Sequence, residues 1–409
     1  MTHFHAPKRF VAHPFSYHQE LDLEITSLTN MGQGVARHDG WVVMIPFVLP
    51  GELVRVRIYR NHKNYSDADL VEVLRPSPER VEPKCSLFGR CGGCQYQMMA
   101  YSEQLAWKQR QVEDMLRHMV KLTFPVQPVI SSPKEFGYRS KITPHFAQPT
   151  AEGVIEEIGF LIESSRSRLV DVPECPIAMP KINAALTEVR ESVRKRGKSY
   201  RRGATLLLRA CREGVVTDPK ATITEEVQGV VFEFDAGGFF QNNPFLLPAF
   251  TEYAGRMAAA DGARYLIDAY CGCGLFALTA AHKFERVRGI ELNESSIRRA
   301  ERNAFRNGIS HAEFRVGSAE HIFAAATDLP PAETAVIIDP PRKGCDESFL
   351  TQLTAFGPRT VVYISCNPAT QWRDLPFLLE RGYELKEIQP FDLFPQTKHL
   401  ECIVTLRRS

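Results

Sequence analysis

Residues 265–278 read YLIDAYCGCGLFAL, and this stretch decides the fold of the C-terminal half. A short apolar run ends in Asp268. Gly272 and Gly274 then allow a tight turn, and a helix opens at Leu275. In open α/β sheets, ligands bind where such a turn leaves the carboxyl end of a strand. The pattern is not G-x-G-x-x-G, so a dinucleotide fingerprint matches poorly. Working outward, VRGIEL (287–292), AVIIDP (335–340) and TVVYISC (360–366) are further short apolar runs. Between them lie helical segments such as LFALTAAHKF (275–284) and ESSIRRAERNAFRNG (294–308). Strands alternating with helices imply βαβ units and a doubly wound parallel sheet. ELKEIQPFDLFP (384–395) and HLECIVTL (399–406) close the region as a hairpin at the sheet edge.

The N-terminal half is built differently. From about Phe15 to Arg75 the pattern is all-β: Val54, Val56 and Ile58 alternate with Arg55, Arg57 and Tyr59, which sends apolar groups to one face and cations to the other. A small barrel with a basic outer face is expected, a shape that commonly binds oligonucleotides. RPSPERVEPK (75–84) reads as a linker. A helix is expected over 101–121, with Leu105, Val112, Met115, Leu116, Met119 and Val120 inward, and another over 181–195, with Ile182, Leu186, Val189 and Val193 inward and its arginines outward. The expected division is therefore a barrel over 15–76, a central α+β domain over 77–235 and the α/β domain over 236–409.

Composition narrows the class. The chain has 409 residues, 44% hydrophobic and 24% charged, with a formal net charge of +2, which is ordinary globular composition. No apolar stretch reaches the ~20 residues of a membrane helix, and MTHFHAPKRF lacks the apolar region of a secretory signal, so a cytoplasmic location is expected. Near-neutral charge hides local excess. Arg190, Arg194, Lys195, Arg196, Lys198, Arg201 and Arg202 form one basic run, and Arg286, Arg288, Arg298, Arg299, Arg302 and Arg306 another. Each is readable as a nucleic-acid surface or as a solvated helix face. Three of the ten cysteines crowd into KCSLFGRCGGCQYQ (84–97), and Cys175 stands apart in DVPECPIAMP. In a cytosolic chain such clusters suggest metal ligands, and on spacing alone a zinc site also fits.

Chemistry-bearing residues gather at the strand ends. Glu291, 23 residues beyond Asp268, suits ribose hydroxyls. Asp339 precedes two prolines, which stiffen a loop able to hold a planar base beside a cofactor. Cys366 ends the next strand and is a candidate nucleophile. Glu401, a carboxylate inside a strand, is costly to bury unless paired or functional, and is a candidate general base.

Together, C-x5-C-G-G-C, FFQNN (239–243), D-x-Y-C-G-x-G, DPPRKG (339–344), SCNP (365–368) and FPQTKHLE (394–401) resemble the S-adenosylmethionine-dependent RNA uracil-5-methyltransferases. The likeness spans nearly the whole chain, and is to the branch with an N-terminal TRAM barrel and an iron–sulfur cluster. The resemblance implies a class I, Rossmann-like methyltransferase domain. It also implies a [4Fe–4S] cluster on Cys85, Cys91, Cys94 and Cys175. S-adenosylmethionine would be bound by Gln241, Tyr270, Glu291, Ser318 and Asp339. Cys366 would add to carbon 6 of uracil, and Glu401 would remove the carbon 5 proton. The target would be a flipped-out uridine of 23S ribosomal RNA, held by the barrel, the cluster domain and the 190–202 run, with Phe88, Tyr96, Phe136 and Tyr138 available to stack bases. The alternatives are the transfer-RNA T-loop uridine, a non-catalytic RNA-binding protein, and an amino-group methyltransferase, whose loop usually ends in an aromatic where this chain has Arg342. No protein partner is implied.

Overall fold

The computed structural model describes residue 7 and residues 10–163, 165–317, 323, 326 and 328–409. The chain divides into two compact units. The first takes in the chain up to Gln111 together with Gly159–Val172 and Gln396–Lys398; the second holds Val112–Ile158, Pro173–Pro395 and His399–Ser409. Among the described residues no helix is long and apolar enough to cross a membrane.

The first unit contains a closed five-stranded barrel: β1 (Glu20–Leu28), β2 (Gln33–His38), β3 (Trp41–Pro46), β4 (Leu53–Asn61) and β5 (Tyr65–Arg75), in the order β1-β2-β3-β5-β4 with β4 pairing back on β1. Alternation does what the sequence requires: Val54, Val56 and Ile58 are fully buried. The outward cations, however, are neutralised. The antiparallel register sets Asp22 opposite Arg55 and Glu20 opposite Arg57, and both pairs close, at 2.8 and 2.9 Å. This face of the barrel is a ladder of cross-strand ion pairs, not a bare basic surface. Residues 77–111 follow the barrel in the same unit, with Tyr96, Met98 and Met99 packing against Leu28 and Leu49.

Helix α1 spans Tyr101–Met115 and continues as one π-helical turn over Leu116–Val120. Its buried face differs from the expected apolar stripe. Gln104, Lys108 and Gln111 are buried beside Val112 and Leu116, while Met119 is exposed. Gln104 donates to the Tyr96 and Met99 carbonyls, and Gln111 to the Thr29 carbonyl. Satisfied amides can line a core, but a search for apolar periodicity does not see them.

In the second unit α2 (Pro180–Lys195) buries Ile182, Leu186 and Val193. Arg190 is turned inward as well, donating to the Ile158 carbonyl. The hairpin of β6 (Thr222–Val227) and β7 (Val230–Asp235) precedes the main sheet. That sheet has seven strands: β8 (Tyr265–Ala269), β9 (Arg286–Glu291), β10 (Ala312–Val316), β11 (Thr334–Ile338), β12 (Thr360–Ser365), β13 (Tyr383–Phe391) and β14 (Glu401–Arg408). Their order is β10-β9-β8-β11-β12-β14-β13, the first five parallel and the last two antiparallel. β14 thus lies inside the sheet and β13 at its edge. The helices α3 (Leu247–Ala259), α4 (Leu275–Ala280), α5 (Glu294–Arg306), α6 (Glu347–Phe356) and α7 (Pro368–Leu379) belong to the same unit, and β8, β11 and β12 are buried almost throughout because parallel strands in a layered fold are covered on both faces.

Four members of the second arginine run, Arg286, Arg288, Arg299 and Arg306, are structural, while the side chains of Arg298 and Arg302 are largely exposed. Arg288 is buried on β9 and is held by Asp328 and Glu313; Arg286 shares Asp328 at 2.7 Å. Arg299 pairs with Glu233 and Asp235, and Arg306 with Glu233 at 2.6 Å. Of this run, the cations that face β7 dock α5 on the hairpin. Asn303, fully buried on the same face, accepts from the Glu233 amide at 2.7 Å and donates to the Glu233 and Cys273 carbonyls. Substituting Asn303→Ala orphans these buried backbone groups, at a cost of roughly 2–4 kcal/mol. A denaturation midpoint within error of the unsubstituted protein would refute this account of the α5–hairpin contact.

Candidate active site

Register alone gathers the site. Ala269 of β8 lies level with Ile290 of β9 and with Ile338 of β11, so the next residues, Glu291, Tyr270 and Asp339, form a row at the carboxyl edge. Ile338 is level with Tyr363 of β12, and Cys366 follows the end of that strand. Ser365 pairs with Cys402 of the antiparallel β14; one further step sets Cys366 opposite Glu401.

The turn after β8 is shaped to receive a ligand. Tyr270, Gly272 and Gly274 all have positive φ, at 67°, 54° and 91°. A side chain at Gly274 would meet Leu278 and Phe314 at 3.1–3.2 Å, so glycine is required there. Glu291 accepts from the Gly272 amide at 3.3 Å and from the Asn293 amide at 2.9 Å, which fixes its carboxylate beside the turn. Asp268 is fully buried; its Oδ2 accepts from the Ala277 amide at 2.8 Å, while Oδ1 has no partner among the described residues. An orphaned buried oxygen, an open glycine turn and an acid at the next strand end fit a cofactor carrying an amino group and ribose hydroxyls. Gln241 is buried at the end of a turn held by two cations that sequence reading overlooked. The buried Arg209 donates to the Gly238 carbonyl at 3.0 Å, and Lys141 Nζ to the Gly237 and Gly238 carbonyls. Asn243, also from FFQNN, spends its side chain on Ser132, Leu393 and the amides that open α3. Ser318 lies outside the described residues.

The reacting end is electrostatically tense. Burial pushes the Cys366 thiol up to about 11, and the negative charges of Glu401 and Asp339 push the same way; the Arg342 guanidinium opposes them. Burial also holds Glu401 well above the ordinary carboxylate range, with Asp339 adding and Arg342 again opposing. Asp339 itself is raised by burial to about 7. Arg342, whose Nη2 lies 3.1 Å from His399 Nδ1, is the cation that opposes both upward shifts. DPPRKG contains it, yet only the fold reveals what it faces. A thiol and two carboxylates with raised proton affinity, at the same sheet edge as the glycine turn, form a set able to add to an electron-poor ring and move a proton.

A family model for tRNA (uracil-5-)-methyltransferase matches residues 220–409, and a TRAM model matches residues 18–71. The tRNA (uracil(54)-C(5))-methyltransferase of Schizosaccharomyces pombe is 43% identical over 97% of this chain and 79% of its own length. The chain belongs to the RNA uracil-5-methyltransferase family. The Saccharomyces cerevisiae tRNA (uracil(54)-C(5))-methyltransferase is 33% identical, covering 96% of this chain and 74% of its own. Among solved structures, the Pyrococcus abyssi tRNA (uracil-54, C5)-methyltransferase in complex with S-adenosyl-L-homocysteine superposes with a TM-score of 0.74 at 26% identity, covering 94% of this chain and all of that one. The barrel is thus a TRAM domain, and the methyltransferase depends on S-adenosylmethionine.

Other candidates separate more sharply. Tyr96 and Tyr138 are fully buried and serve as core, unable to stack a base; the Tyr138 hydroxyl is bound to the Pro395 carbonyl. Phe88 is half-buried, edge-on to Phe47 at 5.1 Å, and Phe136 is likewise half-buried. In the 190–202 run, Lys195, Arg196, Lys198, Arg201 and Arg202 are exposed, in contrast to the α5 arginines that face β7. Cys85, Cys91 and Cys94 belong to the first unit and Cys175 to the second, and all four are half-buried. Among the described residues no group of three or more His, Cys, Asp or Glu is placed to hold a metal ion.

Burial raises Asp268 to about 8, against ~3.9 for an unfolded aspartate. The folded protein therefore keeps this proton to higher pH than the unfolded chain. The resulting stability is intact below about pH 4 and drains away as pH rises toward 8. Asp268→Asn, which retains an acceptor for Ala277, is expected to flatten the melting temperature across that window; an unchanged slope would place the proton elsewhere.

Proposed function

We propose that this enzyme methylates carbon 5 of the T-loop uridine, position 54, of transfer RNA. The observation that carries the chemistry is the β12–β14 register, which sets Cys366 opposite Glu401 beside Asp339 and Arg342. The substrate rests on the relatives, whose printed activities are on uracil 54 of tRNA. These outweigh the combination of TRAM barrel and cysteine run that favoured 23S ribosomal RNA.

Carbon 5 of uracil is too weak a nucleophile to attack a sulfonium methyl unaided. The Cys366 thiolate, stabilised by Arg342, adds to carbon 6, and the ring becomes an enolate with electron density on carbon 5. S-adenosylmethionine supplies the electrophilic methyl group. The carbon 5 proton then passes to the carboxylate of Glu401, made more basic than a free carboxylate by burial. Elimination across carbons 5 and 6 restores the double bond and releases Cys366 as thiolate. Gln241, Tyr270, Glu291, Asp339 and Ser318 are the proposed cofactor contacts. The TRAM barrel and the exposed cations of 195–202 are the proposed RNA surfaces. Cys85, Cys91, Cys94 and Cys175 are the proposed thiolates of a [4Fe–4S] cluster, which would hold the RNA-binding region together; iron analysis of anaerobically purified protein tests this, with Cys94→Ser expected to lose the metal.

Mass spectrometry of nuclease fragments from wild-type and gene-deleted cells tests the substrate. Loss of 5-methyluridine from the T-loop fragment is expected. Loss from a 23S fragment alone would move the substrate to ribosomal RNA, and no loss anywhere would favour a binding protein without catalysis. With purified protein, Cys366→Ala is expected to abolish methylation. Glu401→Gln should slow turnover by about 10²–10⁴-fold and accumulate an RNA–protein adduct visible on denaturing gels; absence of that adduct would overturn the role of Glu401.

A further inference from the structure

The loop carrying Asp339 and Arg342 has its own clamp, outside the row of reacting groups. Gly344, at φ 77°, lies so close to α7 that a Cβ there would come within 2.7 Å of Arg373 and 2.8 Å of Asp374. Asp374 is buried. Its Oδ2 accepts from the Cys345 amide at 2.9 Å and from the Tyr363 hydroxyl at 2.7 Å, and its Oδ1 takes the Arg373 guanidinium at 2.7 Å. Arg373 in turn donates to the Lys343 carbonyl at 2.9 Å and the Cys345 carbonyl at 3.2 Å. The Arg342 carbonyl is held from the same helix start by Asn367 and Thr370, at 3.3 and 3.4 Å. Tyr363 lies on β12, three residues before Cys366. The clamp therefore ties the Arg342 loop to the strand that delivers the nucleophile.

We propose that Arg373 and Asp374 are positioning residues that hold Arg342 over Cys366 and Glu401. Without Arg373 and Asp374, residues 343–345 lose their anchors on α7, and the Arg342 carbonyl is left to the two longer bonds from Asn367 and Thr370, so the guanidinium is no longer fixed beside the two groups. Cys366 faces Glu401 from β14, Asp339 from the end of β11 and Arg342 from the loop. Of these Arg342 alone favours the thiolate, so displacing it leaves two carboxylates opposing ionisation. Arg373 and Asp374 touch neither Cys366 nor Glu401, and act only through Arg342. The inference rests on the nucleophilic role proposed for Cys366, and its test does not require the RNA substrate to be known.

The test is alkylation of Cys366 in the full-length protein by iodoacetamide, followed by peptide mass spectrometry across pH 6 to 10. The Arg373 side chain is half-exposed, so Arg373→Gln is the variant of choice, with Asp374→Asn as a second. In Arg373→Gln the reactivity profile is expected to move up by about one pH unit, a rate on the order of tenfold lower at pH 8. Arg342→Gln should produce the same shift, and the double variant no more than either single change. Arg373→Lys should recover only part, because an ammonium lacks the planar fork that serves carboxylate and carbonyls together. General loosening of the fold would expose the thiol and speed alkylation instead. Wild-type reactivity in Arg373→Gln, faster alkylation, or multiplicative losses in the double variant would overturn the proposal. If wild-type protein shows this pH behaviour yet methylates no RNA, the functional reading fails and the clamp stands.

Discussion

Burying a carboxyl group in the middle of a sheet is expensive, and Glu401 is only 4% exposed on a strand with neighbours on both sides. The remainder of the site answers that cost. The antiparallel register places the carboxyl against the end of β12, where the thiol arrives, and the β11 loop brings a guanidinium to the same point. Asp339, Glu401 and Cys366 lie close enough to oppose one another's ionisation, with Arg342 countering for Cys366 and Glu401, so one negative charge there raises the cost of the next. This mutual restraint suits groups that exchange protons in sequence rather than ionise together.

The α/β half was largely legible in the sequence because its signals are local. β8, β11 and β12 are short, mostly apolar runs and glycines mark the turn after β8, whereas β10, AEFRV, carries no such signal and was not legible. From these alone, Glu291, Asp339, Cys366 and Glu401 fall at strand ends. Arg342, Arg209 and Asp374 were not legible as site residues. Their importance comes from what they face, and that follows from strand order and helix placement.

Charge and polarity misled where partners are distant in sequence. Arg55 and Arg57 looked like an exposed basic face, but Asp22 and Glu20 lie across the barrel seam. Arg299 and Arg306 looked like a nucleic-acid surface until Glu233 came under them. Arg190, counted outward, is turned in. The buried face of α1 carries Gln104, Lys108 and Gln111, whose amides and stem pack as core only because backbone carbonyls from the preceding segment meet the amides. Spacing of like residues records which face is shared; it does not record whether an opposite charge waits there.

The order of strands also constrains how the molecule comes together. β13 reaches the sheet only through β14, so it has no place to dock until its hairpin partner is beside it. A hairpin closes through short-range contacts and can enter the sheet as a preformed unit. Thiol and carboxyl, 35 residues apart in the chain, then meet in the same event that zips β14 against β12. The meeting of this thiol and carboxyl therefore marks the closing of the last seam of the sheet.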